Sequence, residues 1–117
     1  VLRVIAVKNK KTISLDFDGV LHEYVEWDGP KPKNPPTKGA LEFVKDVQSA
    51  GYEIIIHSCR ARTKAGRGGI TKWLEENNFP KIKVQYEKPQ AVLYIDDNAY
   101  RFTGKFDKTL EFIKNNA

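Results

Sequence analysis

The sequence predicts an α/β fold with a mostly parallel central sheet and helices packed on both faces. Two observations carry this. Short β-branched or apolar runs at residues 12–17 (TISLDF), 52–57 (YEIIIH), 82–86 (IKVQY) and 91–95 (AVLYI) are interleaved with stretches whose apolar residues recur at helical spacing. Acidic residues follow two of those runs directly, where an open parallel sheet presents its ligand-binding edge.

The first central strand is expected at residues 12–17, apolar enough to be buried on both faces. Residues 3–7 suit an additional strand that turns back through Asn9. Residues 19–36 carry the Gly/Pro clusters GPKP and NPP with little periodicity, which predicts an extended loop or short hairpin acting as a flap. From Thr37, Ala40, Leu41, Val44 and Val47 mark a first helix, and Gly51 suits the position just beyond its end. Residues 52–57 form the second strand. The glycines at 66–69 are expected to precede a second helix carrying Ile70, Trp73 and Leu74, which Pro80 helps to close. Two further strands, at 82–86 and 91–95, lead to a last helix capped by Asp107 with Phe106, Leu110 and Ile113 on one face.

At 117 residues the chain suits a single domain, 1–117, and its 40% apolar content with two Trp, five Tyr and six Phe can fill one core. No run approaches the roughly 20 apolar residues needed to span a bilayer, and the opening residues lack a signal-peptide pattern, so a soluble, unexported protein is expected. The single Cys59 has no partner for an internal disulfide and fits a reducing compartment, with the cytoplasm as default. A formal charge of +5 would concentrate anionic ligands such as nucleotides and nucleic-acid ends; it equally suits a surface that only keeps the protein in solution.

Asp16 and Asp18 close the first strand, and Asp96 and Asp97 close the last. If these strands are neighbours, their ends form one anionic pocket that needs a cation. Oxygen ligands without a His or Cys cluster select a hard ion, Mg²⁺. Extended geometry would turn Asp16 and Asp18 to one side and Phe17 into the packing. One carboxylate could then attack phosphorus while the other exchanges a proton with the leaving alcohol and, later, with water. Gly19 would let the chain turn away. The alternative is a D-x-D-G turn with no chemistry. Ser58, at the end of the second strand, could hydrogen-bond a phosphate oxygen, and Lys88 could neutralise charge on a transferring phosphoryl group, unless it is simply a solvated surface lysine. His57 and Cys59 suit ordinary packing.

Taken in order, Asp16-Phe17-Asp18-Gly19-Val20, the run IIIHS ending in Ser58, Lys88, and Ile95-Asp96-Asp97 resemble the motifs of the haloacid dehalogenase-like (HAD) superfamily, over about residues 12–103. The resemblance implies a Rossmannoid three-layer sandwich whose first strand lies between the strands of Ser58 and Asp96. It implies Asp16 as nucleophile, Asp18 as general acid and base, and Ser58 and Lys88 as phosphate clamps. It also implies Asp16, the Asp18 carbonyl and Asp96 as Mg²⁺ ligands, with Asp97 supporting the ion through water. Two aspartates in the first motif favour a phosphatase or phosphotransferase. Members often carry a cap domain, and neither usual insertion point has room for one here. The open site would then admit a nucleotide or the phosphorylated end of a nucleic acid. Arg60, Arg62 and Arg67 in the basic loop and Tyr24 and Trp27 in the flap, beside His22, are the candidates for substrate contact; the same residues could instead be an ordinary basic loop and a packed flap. The competing function is a non-catalytic module of the same fold that binds a phosphorylated or nucleic-acid partner.

Overall fold

The computed structural model describes residues 10–117. The additional strand expected at residues 3–7 lies outside the described residues. Four strands, β1 (Thr12–Leu15), β2 (Glu53–His57), β3 (Lys83–Gln85) and β4 (Leu93–Ile95), form one sheet in the order β3-β2-β1-β4. All three pairings are parallel, with Leu15 opposite Ile56 on one side and Ile95 on the other. The helices are α1 (Ala40–Ser49), α2 (Lys64–Glu76) and α3 (Phe106–Asn116). This is an α/β fold consistent with a small three-layer sandwich, and the strand that ends in Asp16 lies between the Ser58 and Asp96 strands.

Side-chain alternation along the strands explains where the core forms. Ile13 and Leu15 of β1 and Ile54 and Ile56 of β2 join Val44 of α1 and Ile70, Trp73 and Leu74 of α2 in one buried cluster. Both helices therefore pack on the same side of the sheet, as two right-handed crossovers advancing in one direction require. Leu15, Ile56, Val44 and Ile70 are completely buried, each contributing about 1.5–3 kcal/mol by leaving water. From β3 the chain crosses back past β2 and β1 to β4 without a helix. α3 has no buried residue and is the least embedded element.

Helix ends depart from the expectation in two places. The glycines at 66–69 lie inside α2 rather than before it, because Thr63 caps the helix, its Oγ1 accepting from the Gly66 amide at 3.0 Å. Gly66 is required by packing: a methyl group there would overlap the backbone carbonyl of Arg60. At α3, Asp107 does not cap; Lys105 occupies that position and Asp107 lies in the first turn, where its charge favours the helix N-terminus. α1 ends as expected, with Gly51 at φ 96° just past it. Residues 19–36 hold no regular element. The flap is fastened by isolated bridges from His22 to Asp18 and to Pro36, and by the Trp73 indole donating to the Asn34 carbonyl at 2.8 Å.

Candidate active site

The parallel ladder delivers the acids. One step beyond the last paired residues, Leu15 and Ile95, the Asp16 amide donates to the Ile95 carbonyl at 2.9 Å, so Asp16 and Asp96 stand side by side at the carboxyl edge. Asp97 joins them, and one carboxylate oxygen from each of Asp16, Asp96 and Asp97 lies within 4.8 Å of the others. Asp16 is half-buried, whereas Asp96 and Asp97 are exposed. Gly19, at φ 86°, passes so close that a methyl group there would overlap the Asp97 carboxylate.

No lysine, arginine or histidine makes an ion pair with these three carboxylates among the described residues. The electrostatic result appears at Asp16. Burial first, then the charge of Asp96 and the proximity of Asp97, push its carboxyl up to about 7, against the lowering effect of the Phe17 amide. That amide donates to Asp16 Oδ1 at 2.9 Å and holds the side chain in place. A crowded set of acids without a compensating cation fits a hard divalent ion bound through oxygens.

Asp18 makes a different set of contacts. Its carboxylate is not part of the triad; it accepts from Arg60 Nε at 3.1 Å, from Arg60 Nη2 at 2.9 Å and from His22 Nδ1 at 2.8 Å. The chain turns immediately after Phe17, whose carbonyl accepts from the amides of Leu21 and His22. The metal ligand expected from Asp18 is its backbone carbonyl, which these side-chain bonds do not involve.

His22, noted in the sequence only as a flap aromatic, is the anchor of this turn. It is buried, its ring stacks on Phe17 with centroids 5.2 Å apart, and Trp73 meets it edge-on at 5.5 Å. The Asn34 amide donates to Nε2 at 3.1 Å, so Nε2 is an acceptor and Nδ1 carries the hydrogen given to Asp18. The i, i+4 spacing of Asp18 and His22 was the available signal.

Arg60 is also corrected. Expected to meet substrate, it is buried at 4% exposure with its donors on Asp18 and the Gly29 carbonyl. The Trp27 ring lies over its guanidinium at 4.7 Å, leaving Trp27 itself 55% exposed. Ser58 is buried, and its Oγ accepts from the Arg60 amide at 3.1 Å, which caps the short 3₁₀ turn Cys59–Arg62 while leaving the hydroxyl its own hydrogen to donate. Lys88 is not drawn to the acids; its ammonium lies over the Tyr94 ring at 4.6 Å. Arg67 donates to the Ala61 carbonyl at 2.9 Å, and Arg62 and Tyr24 are exposed.

No protein-family model matches the chain, and no curated protein matches it. Among solved structures, a conserved protein from Bacteroides thetaiotaomicron is similar, with a TM-score of 0.60, 22% identity and 93% of each chain covered. At that identity the likeness concerns the fold. No helix among the described residues is long and apolar enough to cross a membrane.

Proposed function

We propose that this chain is a Mg²⁺-dependent HAD-type phosphatase that cleaves a phosphate monoester through an aspartyl-phosphate on Asp16. The observation that carries the reading is the uncompensated triad of Asp16, Asp96 and Asp97 at the carboxyl ends of adjacent strands. Those three carboxylates would hold the ion, whose charge would keep Asp16 ionised and offset the negative charge of the phosphoryl oxygens.

An Asp16 oxygen attacks phosphorus, the bond to the ester oxygen breaks, and Asp18 gives that oxygen a proton. Water then attacks phosphorus, its proton passes to Asp18, and inorganic phosphate leaves with the Asp16 carboxylate restored. Ser58 donates its hydroxyl hydrogen to a phosphoryl oxygen. Lys88 can serve as the second clamp only by leaving the Tyr94 ring. Without a cap, the leaving group is bounded by the flap, where Tyr24 and Trp27 are exposed aromatics, and by the basic residues Arg62 and Arg67. This surface and the +5 charge favour a nucleotide or a phosphorylated nucleic-acid end. Exposed, unpaired Cys59 supports a reducing, cytoplasmic setting.

One feature favours a second reading, a non-catalytic binding module: both Asp18 oxygens are already engaged by Arg60 and His22. Hydrolysis of an aryl phosphate decides between them. Turnover is expected with Mg²⁺ and is lost with chelator or in Asp16→Asn. A wild-type protein inactive on aryl phosphates, nucleotides and 3′- and 5′-phosphorylated oligonucleotides overturns the enzyme reading.

A further inference from the structure

Arg60 is confined on every side. Its side chain is 1% exposed. Nε and Nη2 grip both oxygens of Asp18, and Nη1 donates to the Gly29 carbonyl at 2.9 Å. Trp27 covers the guanidinium, Ser58 Oγ holds the backbone amide, and Gly66 closes against the backbone carbonyl. Taking a guanidinium out of water costs several kcal/mol, recovered only when its donors are matched by acceptors in good geometry. Apolar residues of similar volume would fill such a position at less cost. The arrangement instead directs a rigid two-pronged donor at one carboxylate, which lysine, a point charge on a flexible stem, could not do.

Asp18 retains capacity for chemistry under this grip. An ionised carboxylate offers about four acceptor positions. Arg60 and His22 take up three, and the Asp18 side chain is still 20% exposed. One position stays open, and its direction is set by the other three.

We infer that Arg60 is a positioning residue: its fork aims the Asp18 carboxylate at the leaving-group oxygen, while its third donor and its flat face tie the flap to that same carboxylate through Gly29 and Trp27. This rests on the phosphatase reading above. The link spans three separate parts of the chain, the turn after β1, the loop after β2 and the flap, so one side chain contributes to both the flap's seating and the proton donor's aim. Misplacing a reacting group by about 1 Å costs on the order of 100-fold in rate.

The test separates positioning from mere support of the fold by varying the leaving group. A 4-nitrophenolate departs without a proton, whereas an alkoxide needs one. We compare kcat/KM for 4-nitrophenyl phosphate and for a nucleoside 5′-monophosphate in wild type, Asp18→Asn, Arg60→Ala and Arg60→Lys. Arg60→Ala is expected to lose roughly 100-fold on the alkyl ester and less than about 5-fold on the aryl ester, the selectivity of Asp18→Asn, with partial recovery by added guanidinium. Arg60→Lys shows the same selectivity and serves alone if the alanine variant does not fold. Equal losses on both esters, or none on either, overturn the inference while leaving the phosphatase reading standing. A wild type that cleaves neither ester overturns both.

Discussion

Replacing Asp16 by Asn should stabilise the metal-free protein while abolishing its activity. The two side chains have nearly the same shape, and an Asn oxygen can still accept from the Phe17 amide, which bonds Asp16 Oδ1 at 2.9 Å. What changes is the charge among three acids. Burial and Asp96 raise the Asp16 carboxyl from 3.8 to about 7, which corresponds to roughly 4 kcal/mol for a fully buried group. Asp16 is only half-buried, and water screens its neighbours, so about 2 kcal/mol is the expected penalty. Between about pH 4 and pH 7 the native state keeps a proton that the unfolded state has released, so wild-type stability falls as pH rises through that window and levels off above it. The Asn variant has no such proton. In chelator at pH 8 its melting temperature should exceed wild type by roughly 8 °C, at about 4 °C per kcal/mol for a chain of this length, and the gap should close at pH 4. Excess Mg²⁺ should reverse the order, since an ion at 100 times its Kd stabilises wild type by about 2.7 kcal/mol. Thermal melts under these three conditions provide the assay. A variant no more stable than wild type at pH 8, or equally stabilised at pH 4, refutes the electrostatic account of the triad.

Two further outcomes follow from the geometry around it. Gly19→Ala forces a left-handed backbone onto a residue with a methyl group, at about 1–2 kcal/mol, and displaces the Asp97 carboxylate. Its melting temperature should fall, and the Mg²⁺ concentration giving half of the thermal shift should rise about tenfold, equivalent to roughly 1.4 kcal/mol. His22→Phe can keep the stack on Phe17 but leaves the Asn34 amide without its acceptor, so urea unfolding should show a loss of about 1–3 kcal/mol. Ring ¹⁵N shifts in wild type should show hydrogen on Nδ1 and none on Nε2; the opposite tautomer would contradict the assigned network.

The strand ends were legible because their signals are local. TISL and EIIIH announce buried strands, and the residue that follows each such run is carried to the carboxyl edge of the sheet. Asp16, Asp96 and Asp97 could be read in this way. Arg60 could not, since its partners Asp18 and Gly29 lie 42 and 31 residues away and nothing in CRAR distinguishes a buried guanidinium from an exposed one. The glycines at 66–69 suggest a segment ahead of the helix because glycine disfavours helices; a carbonyl six residues earlier excludes any side chain at 66, and Thr63 supplies the cap. Lys88 shows the same limit, its ammonium resting on a ring six positions later in sequence.

The bond from the Asp16 amide to the Ile95 carbonyl has one more consequence. Neighbouring strands stand about 4.8 Å apart wherever a ladder is intact, and Asp16 and Asp96 begin from backbone held at that interval. Their spacing is thus inherited from main-chain architecture instead of being assembled by side-chain contacts. An ion held by these acids would meet a frame already set, and little of its binding energy would be diverted into rearranging the protein.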